Sequence, residues 1–322
     1  MPPPLRLLVF NDGYSAEAFS DISHPAIEFT CVPDGDRAQL LEMIPGYDAY
    51  LSTLRIRVDR EVVDRASRLR LIVTPSTGTD HLDLPLLRER NITVLCNKDD
   101  REFLDQLTTT AELAFGLLLT CARRLPECFE ASRAGRWERS GLAGSQLRGK
   151  TLGLIGVGRL GSMMARYGRA FWMRVLGCDP AVREFPEGVE RVDLQALLRE
   201  SDFVSLHVHL TELTRGMLGE RELAAMKPGS CLINTSRGGL VDEEALVRHM
   251  QSGRIAAAGL DVIDGEWIGD KRGHPLIAYS RVNPRLCITP HVGGTSPEAV
   301  RLSVRHTFRK AVAFLGRETP AR

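Results

Sequence analysis

TLGLIGVGRLGSMMARYGRAFWMRVLGCD, residues 151–179, decides how this chain folds. A short apolar run at 151–155 leads into Gly156, Gly158 and Gly161 in a G-x-G-x-x-G, and a helix-like run follows. A second apolar run, 174–178, ends at Asp179. Each part has a physical job in holding a dinucleotide. The first glycine makes the tight strand-to-helix turn, and the second lets backbone approach a pyrophosphate. The third lets the helix pack on the strand, while N–H groups at the helix start receive the phosphate charge. An acid about 20 residues further on can hydrogen-bond the adenosine ribose, and Asp179 has that place.

The alternation extends in both directions. Apolar runs at 5–10, 27–32, 49–52, 69–74 and 93–96 precede the glycine turn, with charged helix-length segments such as 59–67 between them. Runs at 151–155, 174–178, 203–206, 231–234, 256–260 and 286–288 form a second set. Strands alternating with helices predict an α/β protein with parallel sheets. The 322 residues suit two domains of roughly 150 each. Residues 102–133 read as long and mostly helical, and 134–149 as a polar connection rich in Gly, Ser and Arg. A last helical stretch, 297–315, can return to the first domain, which would then be discontinuous in sequence.

Composition removes several classes of function. The 42 basic and 41 acidic residues nearly cancel, and no long single-sign run appears. That argues against nucleic acid or a membrane surface as a partner. No stretch nears the roughly 18 uninterrupted apolar residues of a membrane span. The start, MPPPLRLLVF, is too short in its apolar part for a signal peptide and reads as a first strand. Seven scattered cysteines with no C-x-x-C predict mostly buried free thiols in a reducing cytoplasm, not disulfides or zinc ligands.

Three segments follow predicted strands, where ligands of open α/β sheets bind. INTSRGGLVDEEAL sets Arg237 beside Gly238 and Gly239. Arginine offers a planar fork of donors that suits a carboxylate and keeps its charge, although a surface arginine can equally cap a turn. GLDVIDGEW carries Asp261, Asp264 and Glu266, and ITPHVGG carries His291 ahead of Gly293 and Gly294. A lone histidine is more often structural. At a strand end, its reference pKa of about 6.5 suits proton exchange near neutrality, and an adjacent carboxylate would raise it.

In this order, GLIGVGRLG with Asp179, NTSRGG, GLDV with a following Glu, and TPHVGG resemble the D-isomer-specific 2-hydroxyacid dehydrogenase family. That family includes 3-phosphoglycerate dehydrogenases and glyoxylate/hydroxypyruvate reductases. The resemblance is strongest over residues 108–294. It implies two Rossmann-like doubly wound parallel-sheet domains with an interdomain active-site cleft. Residues 1–101 plus 295–322 would form a flavodoxin-like substrate-binding domain. Residues 102–294 would form an NAD-binding domain that includes a dimerisation arm at 102–149.

The resemblance also assigns roles. Arg237, Glu266 and His291 match the catalytic triad: Arg237 would bind the substrate carboxylate and polarise the 2-oxo oxygen. His291 would exchange that oxygen's proton, and Glu266 would keep His291 protonated. Gly156, Gly158, Arg159, Leu160, Gly161, Asp179, His207, Thr214, Thr235, Asp261 and Gly293 occupy cofactor-contacting positions. The negative Asp179 would repel a 2′-phosphate, so NAD is expected over NADP. STGTDHLD resembles the substrate-side loop, so backbone at Thr77 and Gly78 would bind the carboxylate. Leu54 would lie opposite, or serve as an ordinary core leucine. No metal is implied.

Departures from the family pattern bear on the substrate. Leu51 stands where members with phosphorylated substrates usually carry arginine, although Arg55 and Arg57 lie nearby. Trp267 replaces a common proline after the catalytic glutamate, a polar loop at 265–284 follows, and His209 replaces another proline. The expected protein is a cytoplasmic homodimeric NAD-dependent oxidoreductase acting as a 2-oxo acid reductase. Its substrate would be small and polar: hydroxypyruvate, glyoxylate, or a phospho or phosphono analogue. A corepressor-like NAD(H)-sensing interaction protein is the alternative. A Rossmann methyltransferase would leave NTSRGG and TPHVGG without a role.

Overall fold

Strands alternate with helices along most of the computed structural model, which describes residues 4–11, 21–22 and 24–318. The chain divides into two compact units, Met1–Gln106 with Pro297–Arg322, and Leu107–Ser296. Residues 1–3 of the expected non-signal start, and 319–322 of the expected first domain, lie outside the described residues.

The first unit holds β1 (Leu5–Asn11), β2 (Ile27–Pro33), β3 (Ala49–Leu51), β4 (Leu71–Val73) and β5 (Thr93–Leu95). They form a parallel sheet in the order β2-β1-β3-β4-β5. Successive side chains on a strand point to opposite faces, and a parallel sheet is covered on both. Leu8, Phe10, Tyr50 and Ile72 therefore pack with Val62, Val63, Leu86 and Leu87 of the helices Arg60–Arg65 and Leu84–Glu89. Leu7, Val9, Leu51 and Val73 pack with Phe308, Ala311 and Leu315 of the last helix, Pro297–Glu318. The C-terminal helix thus packs on the first sheet.

The second unit holds β6 (Thr151–Ile155), β7 (Arg174–Cys178), β8 (Val189–Arg191), β9 (Phe203–Leu206), β10 (Ser230–Asn234), β11 (Ile255–Leu260) and β12 (Leu286–Ile288). Their order is β12-β11-β10-β9-β6-β7-β8, again all parallel. The chain runs outward from β6 to β8, then returns to lay β9 on the other side of β6. Ligands of such sheets bind where this reversal opens a crevice, at the carboxyl ends of β6 and β9. Helices Thr109–Arg123 and Arg159–Ala170 cover one face, through residues such as Leu117, Leu118 and Met164. Leu197, Leu223 and Leu246 cover the other from helices Leu194–Glu200, Glu220–Ala225 and Glu243–Gln251.

Three features differ from the sequence reading. β8 was not expected: it is a three-residue edge strand, Val-Glu-Arg, with no apolar run to announce it. Residues 102–133 are not one helix but Arg101–Leu104, Thr109–Arg123 and Leu125–Arg133. Arg124 breaks the last two apart in a left-handed conformation, φ 52°. Pro126 then falls in a first helical turn, where its missing N–H breaks no helix hydrogen bond. All seven cysteines are free, but only Cys121 and Cys231 are buried; the other five are half-buried. No helix among the described residues is long and apolar enough to cross a membrane.

Candidate active site

The glycine loop lies at the switch point of the second sheet. Gly156 has φ +91°, and a β-carbon on it would lie 2.4 Å from the His207 carbonyl oxygen at the end of β9. A β-carbon on Gly161 would lie 2.1 Å from the Gly156 oxygen. These two glycines let β6, β9 and the helix start close on one another. Gly158 differs: it caps helix Arg159–Ala170, and a β-carbon there would meet nothing within 4 Å. Open space therefore faces the helix N-terminus, which the helix dipole and its unpaired N–H groups make attractive to a phosphate. Arg159 and Leu160 form the first helical residues, and the Arg159 guanidinium donates to the Leu107 carbonyl at 2.6 Å.

Asp179, just past β7, braces this loop. Its Oδ2 accepts from the Val157 N–H at 2.8 Å and its Oδ1 from the Ala181 N–H at 2.9 Å. Oδ1 also accepts from the Val182 N–H at 3.3 Å, so of the carboxylate's roughly four acceptor sites one on Oδ2 stays open to a ribose hydroxyl. His207 Nε2 pairs with Ser205 Oγ at 2.9 Å, and burial lowers its pKa to about 4, which keeps the ring neutral. Thr214 is fixed in a turn, with Oγ1 donating to the His209 carbonyl at 2.7 Å. His207 Nδ1 and Thr235 Oγ1 are buried with no hydrogen-bond partner among the described residues. Buried polar atoms are rarely left so. Two orphaned atoms and an open helix start fit a large polar cofactor.

Arg237 follows β10 on a turn fixed by the Asn234 side chain, whose Nδ2 donates to the Arg237 carbonyl at 2.9 Å. A β-carbon on the next residue, Gly238, would lie 2.0 Å from the Ile263 carbonyl carbon. The loop after β11 therefore lies against the Arg237 turn. That loop carries Glu266, whose Oε1 is 2.7 Å from His291 Nδ1. Both side chains are only about 15% exposed, at 15% and 16%. With Nδ1–H directed at the carboxylate, Nε2 is left to exchange a proton. The Trp267 ring lies 5.5 Å from the His291 ring at 30°.

His291 itself is held by β11. Its N–H donates to the Asp261 carbonyl at 2.8 Å. The Asp261 carboxylate accepts from Thr289 Oγ1 at 2.5 Å, Val292 N–H at 2.9 Å and Gly293 N–H at 2.8 Å. Burial raises the Asp261 pKa against the lowering effect of these donors. The polar groups of Asp261 and Gly293, expected at the cofactor, are thus engaged with each other in framing the His291 loop. The frame holds His291 at φ 55°, a conformation uncommon outside glycine.

In the first unit, Thr77 and Gly78 lie in the loop after β4. Ser76 Oγ donates to the Gly78 carbonyl, and Thr74 Oγ1 pairs with Ser76 Oγ at 3.0 Å. His81 Nε2 lies 3.3 Å from Ser52 Oγ and 3.4 Å from Thr74 Oγ1, joining the ends of β3 and β4. Leu54 is half-buried in the turn after β3. Leu51 is fully buried in the core, so an arginine there would enter the core rather than a ligand site. The bracing residues Thr289 and His81 were not legible as such, because their partners Asp261 and Ser52 are set by strand order and not by sequence spacing.

Comparison with known proteins identifies the family. Residues 115–293 match the model of the D-isomer specific 2-hydroxyacid dehydrogenase NAD binding domain. A hydroxypyruvate reductase of Thermotoga maritima is 38% identical over 266 residues, 83% of this chain and 84% of that protein. A glyoxylate reductase of Thermococcus litoralis is 36% identical over 294 residues, 88% of this chain and 85% of that protein. A D-lactate dehydrogenase from Aquifex aeolicus, solved with NAD and lactic acid, has a TM-score of 0.81 at 28% identity, covering 97% of this chain and 96% of that one. This chain therefore belongs to the D-isomer specific 2-hydroxyacid dehydrogenase family and is an NAD-dependent oxidoreductase.

Proposed function

We propose that this enzyme reduces a small polar 2-oxo acid, with hydroxypyruvate and glyoxylate the first substrates to test. The observation that carries the reading is the 2.7 Å pair of His291 Nδ1 and Glu266 Oε1. Bound NADH supplies the hydride. Arg237 binds the substrate carboxylate and draws charge onto the 2-oxo oxygen. His291 Nε2 then donates a proton to that oxygen as negative charge develops there, and Glu266 stabilises the imidazolium before transfer. Backbone at Thr77 and Gly78, and the Leu54 side chain, are proposed as further substrate contacts.

Residues 1–101 plus 295–322 are proposed as the substrate-binding domain and 102–294 as the NAD-binding domain. The arm at 102–149 is proposed to form a homodimer, working in the cytoplasm. Two exposed aromatics within the arm, Phe129 at 55% and Trp137 at 88%, support an arm that meets another surface.

The test offers purified protein NADH with glyoxylate, hydroxypyruvate, phosphohydroxypyruvate, phosphonopyruvate and larger 2-oxo acids. NADH oxidation with a small polar member is expected. Binding of NADH without turnover of any would instead favour the sensing protein. NADH is further expected to bind more tightly than NADPH, because Asp179 repels a 2′-phosphate. In Asp179→Asn the gap should narrow by about tenfold, about 1.4 kcal/mol. An unchanged ratio of the two dissociation constants would remove Asp179 from cofactor choice.

A further inference from the structure

One half-buried acid lies in the motif that follows Arg237 and has no part in the chemistry above. Glu243 opens helix Glu243–Gln251 behind the capping residue Asp242. Acids in a first helical turn ordinarily face water and complement the helix dipole, as the neighbouring Glu244 does with a side chain 81% exposed. The Glu243 side chain is only 14% exposed. Its Oε1 accepts from the Asp264 N–H at 2.7 Å, and its Oε2 lies 3.2 Å from His274 Nε2. One carboxyl group therefore holds both ends of the loop 264–274.

That loop carries Glu266 and Trp267. Its Asp264, Gly265 and Trp267–Asp270 are exposed, as are Arg272 and Gly273. It has little apolar cover to hold its shape, and an unanchored loop would cost Glu266 its fixed place by entropy alone. We propose that Glu243 is a positioning residue, clamping loop 264–274 so that Glu266 meets His291. The proposal rests on the reading of Glu266 and His291 as the proton-donating pair. Burial raises the Glu243 carboxyl to about 7, with the Asp264 N–H opposing and the charges of Asp264, Glu266 and Asp242 reinforcing the shift. An acid carried at that penalty in the fold, with water one turn away, answers to a requirement other than helix stability.

The test compares the full-length protein with Glu243→Ala, Glu243→Gln and His274→Ala. Steady-state kinetics with the best 2-oxo acid would be measured beside NADH titration. Trypsin cleavage after Lys271 and Arg272 in the native proteins would be timed by mass spectrometry. Glu243→Ala is expected to lower kcat by about tenfold or more, the usual effect of a small misplacement, with the NADH dissociation constant unchanged. Cleavage at the two basic residues should quicken by a similar factor. Glu243→Gln keeps an acceptor for the Asp264 N–H and should recover most of both losses, and His274→Ala should fall between. Wild-type kcat and cleavage in Glu243→Ala would overturn the proposal. So would a loss of kcat with unchanged cleavage that Gln fails to restore. If the wild type turned over no 2-oxo acid, the proposed function would fail on that ground, and the cleavage rates would still decide the clamp.

Discussion

His291→Ala is expected to lower kcat for 2-oxo acid reduction by about 10³-fold, the middle of the range for losing a general acid. The NADH dissociation constant should stay within about twofold, because the cofactor features lie at the glycine loop. The geometry makes the effect separable. Asp261 receives the backbone N–H of residue 291 and the N–H groups of Val292 and Gly293, none of which depends on the imidazole. The loop should therefore keep its course without the side chain. Alanine at φ 55° adds some backbone strain, so His291→Asn is the matched control. Asparagine tolerates that conformation but cannot exchange a proton near neutral pH. Both variants should show the same loss. Near-normal kcat in either, or NADH binding lost together with turnover, would make His291 a structural residue.

Substitutions at two neighbouring glycines should have opposite characters. Gly156→Ala places a β-carbon 2.4 Å from the His207 carbonyl at φ +91°, so the strand-to-turn backbone must move. A drop in stability of several kcal/mol is expected, because strain and overlap act together, along with NADH affinity reduced more than about 100-fold. Gly158→Ala meets no protein atom within 4 Å. Its melting temperature should stay within a few degrees of wild type, yet its methyl group enters the space before the helix start. A loss of NADH affinity of about tenfold or more is therefore expected. Thermal melting and NADH fluorescence titration on the two variants measure both quantities. Wild-type NADH binding by Gly158→Ala would mean that the pyrophosphate does not pass there.

The sequence carried the strand set of the second unit well, since apolar runs ending at Gly156, Arg237, Asp261 and His291 mark strands that stop at a common edge. β8 escaped because Val189–Arg191 is an exposed edge with two charged residues of three. The break at Arg124 escaped because an apolar helical pattern continues across it, and only Pro126 hinted at a new start. Pairings were the least legible part. Asp261 and Val292 are 31 residues apart, and they meet because β11 and β12 lie side by side. Glu243 reads in sequence as a routine first-turn acid; its burial comes from loop 264–274 folding over it. The thiols were expected mostly buried, yet five of the seven are half-exposed, Cys128 on a helix among them.

The frame around His291 has a consequence for how enzymes of this design diversify. The imidazole is located by the backbone and buried carboxylate of Asp261, just past the end of β11, and by the Glu266 carboxylate. The stretch 268–273, beyond the Trp267 ring that lies against His291, hangs between anchored ends at Asp264 and His274 and is mostly bathed in water. Residues can be inserted, deleted or exchanged there without shifting the atom that delivers the proton. Selection for a new substrate can rewrite that stretch while the reaction stays the same.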